Sequence, residues 1–305
     1  MPRVVFLLIP QLHLLDLAGP VQAFWTAADR GYGYDLSYVS ESCTVPTAQG
    51  VPVTATTSWP DLSADDLVLV PGWRSSHRPR PSIGPDYRQR LADHHAAGGT
   101  VASVCSGAFA LGSAGLLDGR QCTTHHNLQD ELAAMYPRAA VRRDVLYTTD
   151  DRVVTSAGIA SGIDLALHLI AVRDGAAAAA KVAREMVVYA RRNGDEPQAS
   201  AMLRHRSHLS ETVHHVQDRI DAGFTDPLRL ADLAAAAQVS ERTLTRMFTT
   251  ATGLTPLRYQ QELRVERAEH LIGHGSTVEA AARAVGFSDA RMLRRLRART
   301  HAPTG

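Results

Sequence analysis

The chain has 305 residues, of which 45% are hydrophobic and 21% are charged, and its formal net charge is +1. These values are typical of a globular protein and exclude a disordered or strongly charged chain. No run of about 18 apolar residues is present, so no transmembrane segment is predicted. Three cysteines (Cys43, Cys105 and Cys122) are too few for a disulfide framework or a zinc site.

Short apolar runs alternate with helical patterns in the first half of the chain. The predicted strands are residues 4–9, 36–39, 67–70, 101–104 and 153–156. The predicted helices are residues 20–29, 85–97, 106–116, 128–135 and 161–172. Strands that alternate with helices predict a parallel sheet with helices on both faces. We therefore expect an α/β domain over residues 1–175.

Three stretches of this domain follow predicted strands. Asp16 comes after the first strand, Pro71-Gly72-Trp73 after the third and Cys105 after the fourth. Ligands of open parallel sheets bind outside the carboxyl ends of the strands. These stretches therefore mark the candidate pocket.

Cys105 stands between a strand and a helix in the sequence SVCSGAFALG. A thiol at a helix N-terminus meets the positive end of the helix dipole, which favours the thiolate. Three interpretations remain open from the residues. Cys105 is an inert small residue in a tight turn, a ligand or redox contact in a sensory pocket, or a catalytic nucleophile.

The second half of the chain has a different pattern. An alanine-rich helix over about residues 176–190 and the polar stretch RRNGDEPQAS predict a helix and linker over residues 176–207. Residues 208–305 show only helical patterns. Residues 201–305 hold 15 arginines, no lysine and 11 acidic residues, and this positive excess favours a polyanionic partner.

Two helix-turn-helix units are predicted in this all-helical domain. In the first, Leu233 and Leu244 lie on the buried faces of two helices, and Ser240 is the predicted N-cap of the second helix. The pattern returns over residues 276–300, and a long helix over residues 255–272 joins the units. Arg246 and Arg295 fall on the same face of the two second helices, which indicates DNA binding.

The sequences VSERTLTRMF, TPLRYQQELRVERAEHLI and AVGFSDARMLRR resemble the AraC/XylS family of transcription factors. The resemblance implies contact with the major groove of double-stranded DNA. The positions that would face the groove are Arg242, Thr245, Arg246, Arg291, Met292 and Arg295.

The end of the second unit departs from that family. After Arg295 one residue of the family's pattern is missing, and its closing turn and final helix have no clear counterpart. We therefore expect the second unit to bind DNA more weakly than the first.

The sequences LLDLAGPVQAF, LVLVPGW, SVCSGAFALGSAGLLDGRQCTTHH and VVTSAGIASGIDLALHL resemble the ThiJ/PfpI superfamily. This superfamily has a flavodoxin-like parallel sheet and is related to the class I glutamine amidotransferases. The order of the domains is similar to that of the GlxA-type regulators. This resemblance implies a sensory or dimerisation domain, an unidentified small-molecule effector and a homodimer.

The same resemblance includes enzymes. Isocyanide hydratases share the LLDLxGP pattern and a cysteine motif, and their catalytic positions map to Asp16, Cys105 and Ser106. An acid beside a thiol could move protons while water adds to an isonitrile carbon. The alternative function is therefore an isocyanide hydratase-like enzyme that uses Cys105 and Asp16.

The sequence as a whole predicts a cytoplasmic, sequence-specific regulator of transcription that is not an enzyme. It predicts no cofactor, no metal and no membrane partner. The Cys105 site is then derived from an enzyme and retained in a protein whose output is transcription.

Overall fold

The structure is a computed structural model that describes residues 1–74, 83–188, 192–198, 204–206, 208–273 and 275–300. It consists of two compact units, Met1–Gln198 and Ala199–Gly305. The boundary between the units lies inside the segment 176–207 that was predicted as helix and linker. Within these described ranges, no helix has the length and apolar character needed to cross a membrane.

The first unit is built on a six-stranded sheet. Its strands are β1 (Arg3–Leu7), β2 (Asp35–Val39), β5 (Leu67–Val70), β6 (Thr100–Val104), β9 (Tyr147–Asp150) and β10 (Val153–Ser156), in the order β2-β1-β5-β6-β10-β9. Two short pairs lie outside it, β3 (Thr44–Val45) with β4 (Val53–Thr54) and β7 (Gln121–Cys122) with β8 (Ala140–Val141). All five predicted strands are confirmed to within two residues.

The edge strand β9 was not predicted, and it makes the sheet mixed rather than wholly parallel. It pairs antiparallel with β10 through a tight hairpin. The turn residues Asp151 and Arg152 have φ values of 44° and 62°. Two-residue turns of this kind favour Asn-Gly or Asp-Gly, so Asp-Arg gives only a weak signal in the sequence.

Helices cover both faces of the sheet, as predicted. One face is covered by α1 (Leu14–Ala27), α5 (Ser161–Asp174) and α6 (Ala176–Glu185), and the other by α2 (Pro85–Ala96), α3 (Ala108–Ser113) and α4 (Gln129–Met135). Side chains of a strand alternate between faces. Accordingly, Val4 and Phe6 of β1 enter one core, and Val5 and Leu7 enter the other.

Two predicted helix boundaries are wrong by about five residues or more, and a third helix, α3 (Ala108–Ser113), is shorter than the predicted 106–116. Helix α1 begins at Leu14 rather than at residue 20, so Pro20 lies inside it and Asp16 lies in its first turn. Helix α6 ends at Glu185 rather than near residue 190, because Val187 has a φ of 55°, which a right-handed helix does not allow. Residues 189–191 lie outside the described ranges.

The described part of the predicted linker forms a strap, residues 192–198, that is bound to the first unit. The Arg192 guanidinium donates to the buried Asp164 carboxylate at 3.0 and 2.6 Å, and its backbone N–H donates to the same carboxylate at 3.1 Å. At the other end, the Gln198 amide donates to the carbonyl of Thr124 at 3.0 Å. This stretch of the chain is therefore part of the α/β unit.

All the regular secondary structure among the described residues of the second unit is helical. Its helices are α7 (Glu211–Ala222), α8 (Leu230–Ala236), α9 (Glu241–Thr252), α10 (Pro256–Gly273), α11 (Val278–Ala284) and α12 (Ala290–Thr300). The pairs α8–α9 and α11–α12 are the two predicted helix-turn-helix units, and α10 is the predicted long connection. Each unit has its own apolar core.

Candidate functional site

Helix α9 is the second helix of the first helix-turn-helix unit. Its first turn is capped as predicted, because the Ser240 hydroxyl accepts a hydrogen bond from the Thr243 backbone N–H at 3.2 Å. Leu244 and Phe248 are fully buried and attach the helix to its core. The opposite face of α9 is left toward solvent.

Two guanidinium groups lie on this outer face. Arg242 and Arg246 are exposed, and Thr245 is half-buried between them. No ion pair to either arginine occurs among the described residues. Together with Glu241, Thr249 and others they line a shallow surface groove. Glu241 and Thr249 were not among the predicted contacts, although helical spacing from Arg242 and Thr245 places them on the same face.

The second helix-turn-helix unit presents a similar outer face. The Asp289 carboxylate accepts a hydrogen bond from the Arg291 backbone N–H at 2.8 Å at the start of α12. Arg291 and Arg295 are exposed, and Met292 is half-buried between them. The Arg295 guanidinium contacts the Met292 sulfur at 3.1 Å, and that of Arg291 lies 3.7 Å from Asp289. All six predicted contact positions thus lie on the two second helices.

Two further arginines of α12, Arg294 and Arg297, are paired within the domain. Arg294 pairs with Glu279 at 2.5 Å and Arg297 with Glu269 at 3.2 Å. The shortened pattern after Arg295 still supplies an apolar anchor, because Leu296 is only 4% exposed and packs in the second core. Residues 301–305 are outside the described part of the chain.

The Cys105 site lies at the carboxyl end of β6. Cys105 is buried, and its φ of 56° makes the sharp turn from the strand into a short 3₁₀ segment before α3. The Ser106 hydroxyl donates to the Trp73 carbonyl at 2.8 Å and accepts the Trp73 backbone N–H at 2.7 Å. The Thr124 hydroxyl donates to the Cys105 carbonyl at 2.7 Å. The backbone around the thiol is therefore fixed on two sides.

Asp16 reaches this site from the first turn of α1. Its carboxyl group is fully buried beside the Cys105 thiol and the backbone of Gly72. A Cβ at Gly72 would lie 2.4 Å from Asp16 Oδ2 and 2.7 Å from Cys105 Cβ, so only glycine fits between them. The structure thus brings Asp16 to Cys105 and Ser106, which lie about 90 residues further along the chain.

Burial dominates the electrostatics of this pair. It raises the pKa of Asp16 from 3.8 to about 7, against the smaller lowering effect of the nearby Ile159 backbone, Cys105 thiol and Gly72 backbone. Neither carboxyl oxygen is in full hydrogen-bond geometry with a described residue. Burial, and then the neighbouring Asp16 carboxylate, raise the pKa of the Cys105 thiol well above its usual range. The expectation that the helix N-terminus favours a thiolate is therefore wrong, because desolvation outweighs the helix dipole.

Over the described ranges, no group of three or more His, Cys, Asp or Glu side chains is placed to hold an ion. The adjacent His94 and His95 instead bond separate backbone carbonyls, those of Asp66 at 3.1 Å and Asp151 at 2.8 Å. These two imidazoles fasten the end of α2 to its surroundings.

Comparisons with known proteins agree with both halves of this description. A model of the DJ-1/PfpI family matches residues 2–172, and a model of a helix-turn-helix domain matches residues 233–303. The HTH-type transcriptional regulator GbdR of Pseudomonas aeruginosa is 28% identical over 272 residues, which are 88% of this chain and 72% of that protein. The isonitrile hydratase of Pseudomonas putida is 31% identical over 176 residues, 55% of this chain and 70% of the enzyme.

A solved structure shares the fold. The crystal structure of a ThiJ/PfpI family protein from Pseudomonas syringae superposes with a TM-score of 0.54 at 22% identity, covering 77% of this chain and 88% of that one. A DJ-1/PfpI domain followed by an AraC-type helix-turn-helix domain defines a DNA-binding regulator of transcription. The chain belongs to the DJ-1/PfpI family.

The buried carboxyl group makes stability depend on pH. Because the pKa of Asp16 is raised from 3.8 to about 7, its contribution to stability is fully present below pH 4 and is lost as pH rises through 7. Asp16→Asn removes this titration. We expect the variant to be more stable than wild type by roughly 2–4 kcal/mol at pH 8, and the difference to shrink toward pH 4.

Thermal unfolding followed by circular dichroism at pH 5 and pH 8 measures this difference. Asp29→Asn, at an exposed position just after α1, is the matched control and should give the same shift at both pH values. A pH-independent effect of Asp16→Asn would show that Asp16 is ionised in the folded protein throughout this range.

Proposed function

We propose that the chain regulates transcription by placing α9 and α12 in the major groove of double-stranded DNA. The observation that carries this proposal is the outer face of α9, where Arg242 and Arg246 are exposed and have no ion pair among the described residues. A recognition helix needs this arrangement, with apolar side chains on one face and free hydrogen-bond donors on the other. The arginine excess of residues 201–305 adds attraction to phosphate.

The side chains of α9 have different proposed roles. Arginine can donate two hydrogen bonds to O6 and N7 of guanine, and we assign this role to Arg246, one turn into the helix. Arg242 lies near the start of α9, where it reaches base or phosphate. The Thr245 hydroxyl already donates to the Glu241 carbonyl at 2.9 Å. Thr245 therefore offers its methyl group, which suits contact with the methyl group of thymine.

We propose that the second helix-turn-helix unit also contacts the major groove, with weaker hydrogen-bond donors. Arg291 and Arg295 are its candidate contacts, and Met292 supplies an apolar surface between them. Each of the two arginines already has a neighbour, Asp289 for Arg291 and Met292 for Arg295. Binding to DNA must displace or share these contacts, which reduces the net gain.

We assign a sensory role to the α/β unit, Met1–Gln198. An unidentified small-molecule effector would act near Asp16 and Cys105, where a buried carboxyl group without a full hydrogen bond responds to a new partner. Leu15 and Trp25 of α1 are 45% and 54% exposed, and this apolar surface suits contact between two copies in a homodimer. A regulator of this kind would act in the cytoplasm, in contact with DNA.

The alternative function is hydration of isonitriles. It is supported by the proximity of Asp16 and Cys105 and by the similarity to isonitrile hydratase. Three features disfavour it. The thiol has a raised pKa, the Ser106 hydroxyl is bonded twice to the backbone of Trp73, and Trp73 itself is buried. We therefore propose that the chain is not an enzyme.

One prediction from the proposed function concerns base recognition by α9. Genome-wide mapping of bound DNA would supply the operator duplex. Arg246→Ala should then weaken binding to that duplex by about 1–3 kcal/mol, the worth of one good base contact, and should weaken binding to random DNA much less. Arg219→Ala, an exposed position on α7, is the control that removes the same charge. Equal losses on both duplexes would show that Arg246 contacts phosphate only.

Another prediction compares the two helix-turn-helix units. Arg295→Ala should cost less affinity for the operator than Arg246→Ala, because Arg295 is already in contact with Met292 and lies in the unit that departs from the family pattern. Fluorescence anisotropy with both variants, at one salt concentration, measures the order. The reverse order would make the second unit the dominant contact.

A last prediction from the proposed function concerns the chemistry of Cys105. The purified protein should not convert a simple isonitrile and water into the N-substituted formamide at a useful rate, because the thiol is neutral and enclosed. Cys105→Ala should still fold and bind operator DNA. The isonitrile hydratase of Pseudomonas putida is the positive control. Multiple turnovers by wild type that disappear in Cys105→Ala would make the protein an enzyme.

A further inference from the structure

The two helix-turn-helix units have separate cores, and α10 belongs to both. Tyr259 and Leu263, in its first half, pack in the core of the first unit, whereas Val265 and Ala268 pack in the core of the second. Phe224, in the loop between α7 and α8, is in contact with both cores. The angle between the recognition helices α9 and α12 therefore depends on what joins the two cores along α10.

Arg264 lies on α10 at the change from one core to the other. Its Nε donates to the carbonyl of Phe224 at 2.6 Å, and one terminal nitrogen donates to the carbonyl of Asp226 at 2.7 Å. The other terminal nitrogen donates to the carbonyl of Gly286 at 3.0 Å. Phe224 and Asp226 precede the first unit, and Gly286 is in the turn of the second. One guanidinium group therefore joins the loop that leads into the first helix-turn-helix unit to the turn of the second.

The backbones of the two units also touch at this point. Gly286 has a φ of 83°, and a Cβ there would lie 1.9 Å from the Thr225 carbonyl oxygen. Gln260, one turn before Arg264, donates to the carbonyls of Phe224 and Asp226 at 3.0 and 2.7 Å. The turn of the second unit is thus seated directly on the loop that leads into the first.

The geometry of arginine suits this position. Its planar group holds its donors in a fixed fork, whereas a lysine ammonium group has no fixed directions. Two recognition helices on one chain can enter successive major grooves only if their separation matches one turn of DNA, about 34 Å. When that separation is fixed, binding of the first helix raises the effective concentration of the second at its half-site.

We propose that Arg264 is a positioning residue for DNA recognition, which fixes α9 and α12 relative to each other and so makes the protein selective for the spacing between two half-sites. The proposal rests on the proposed function of the two helices. Arg264 acts through the orientation of α9 and α12, and this inference assigns it no contact with DNA.

The test uses the full chain and the operator duplex recovered by genome-wide mapping. A second duplex has about half a helical turn, roughly 5 base pairs, inserted between the half-sites, and a third keeps only the half-site of the first unit. Wild type should bind the native spacing at least about tenfold better than the other two. Arg264→Gln should lose most of this preference and bind all three duplexes with similar affinity, close to that of wild type for the single half-site.

Two further variants complete the test. Gly286→Ala, which separates the same two backbones by steric conflict, should also lose the preference for native spacing. Arg264→Lys should not restore it, because the charge is kept and the fork is lost. Arg267→Gln, at an exposed position on the same helix, is the control and should keep the wild-type preference.

The outcomes separate the possible failures. Unchanged spacing preference in Arg264→Gln would overturn the proposal, and so would full rescue by lysine. Equal loss on all three duplexes, with the single half-site included, would show that Arg264 only supports folding and would also overturn it. A failure of the proposed function itself would appear differently, as wild-type binding that Arg246→Ala leaves unchanged on every duplex.

Discussion

The structure of the first unit depends on the burial of its central sheet from both sides. The buried side chains of β1 and β5 are apolar, and β6 adds one fully buried polar side chain, Ser103, so the titratable groups of the site lie where the strands end. Gly72 and Cys105 stand at such ends, and α1 brings Asp16 to the same edge. At this edge Gly72 leaves room for the Asp16 carboxyl group beside the Cys105 thiol, because a Cβ there would lie 2.4 Å from Asp16 Oδ2 and 2.7 Å from Cys105 Cβ.

The α/β unit and the helical unit use charge in opposite ways. In the first, Asp16 and Cys105 are removed from water, and burial holds both nearer their neutral forms. In the second, Arg242 and Arg246 are left in water with no ion pair among the described residues. The first arrangement is sensitive to small changes of its surroundings. The second attracts a polyanion, which suits a DNA-binding domain.

Sequence patterns predicted most of this architecture, and the exceptions have physical causes. Alternating apolar runs located the strands because burial on both faces leaves a strong signal. Strand β9 was missed because its turn at Asp151 and Arg152 lacks glycine. The six positions that the resemblance to the AraC/XylS family implied lie on α9 and α12. The expectation of a thiolate at Cys105 was wrong because a local sequence pattern shows the position at a helix N-terminus but not the depth of burial.

The strap has a consequence for how such proteins are assembled from modules. Asp164 is 3% exposed, and its counter-charge comes from Arg192, beyond the end of the last helix of the α/β unit. A gene fusion that joined a new output domain after residue 175 would leave this carboxylate buried without its cation. A junction after Gln198, the last residue of the first compact unit, keeps the Arg192–Asp164 pair, so an exchange of output domains at that point leaves the first domain complete.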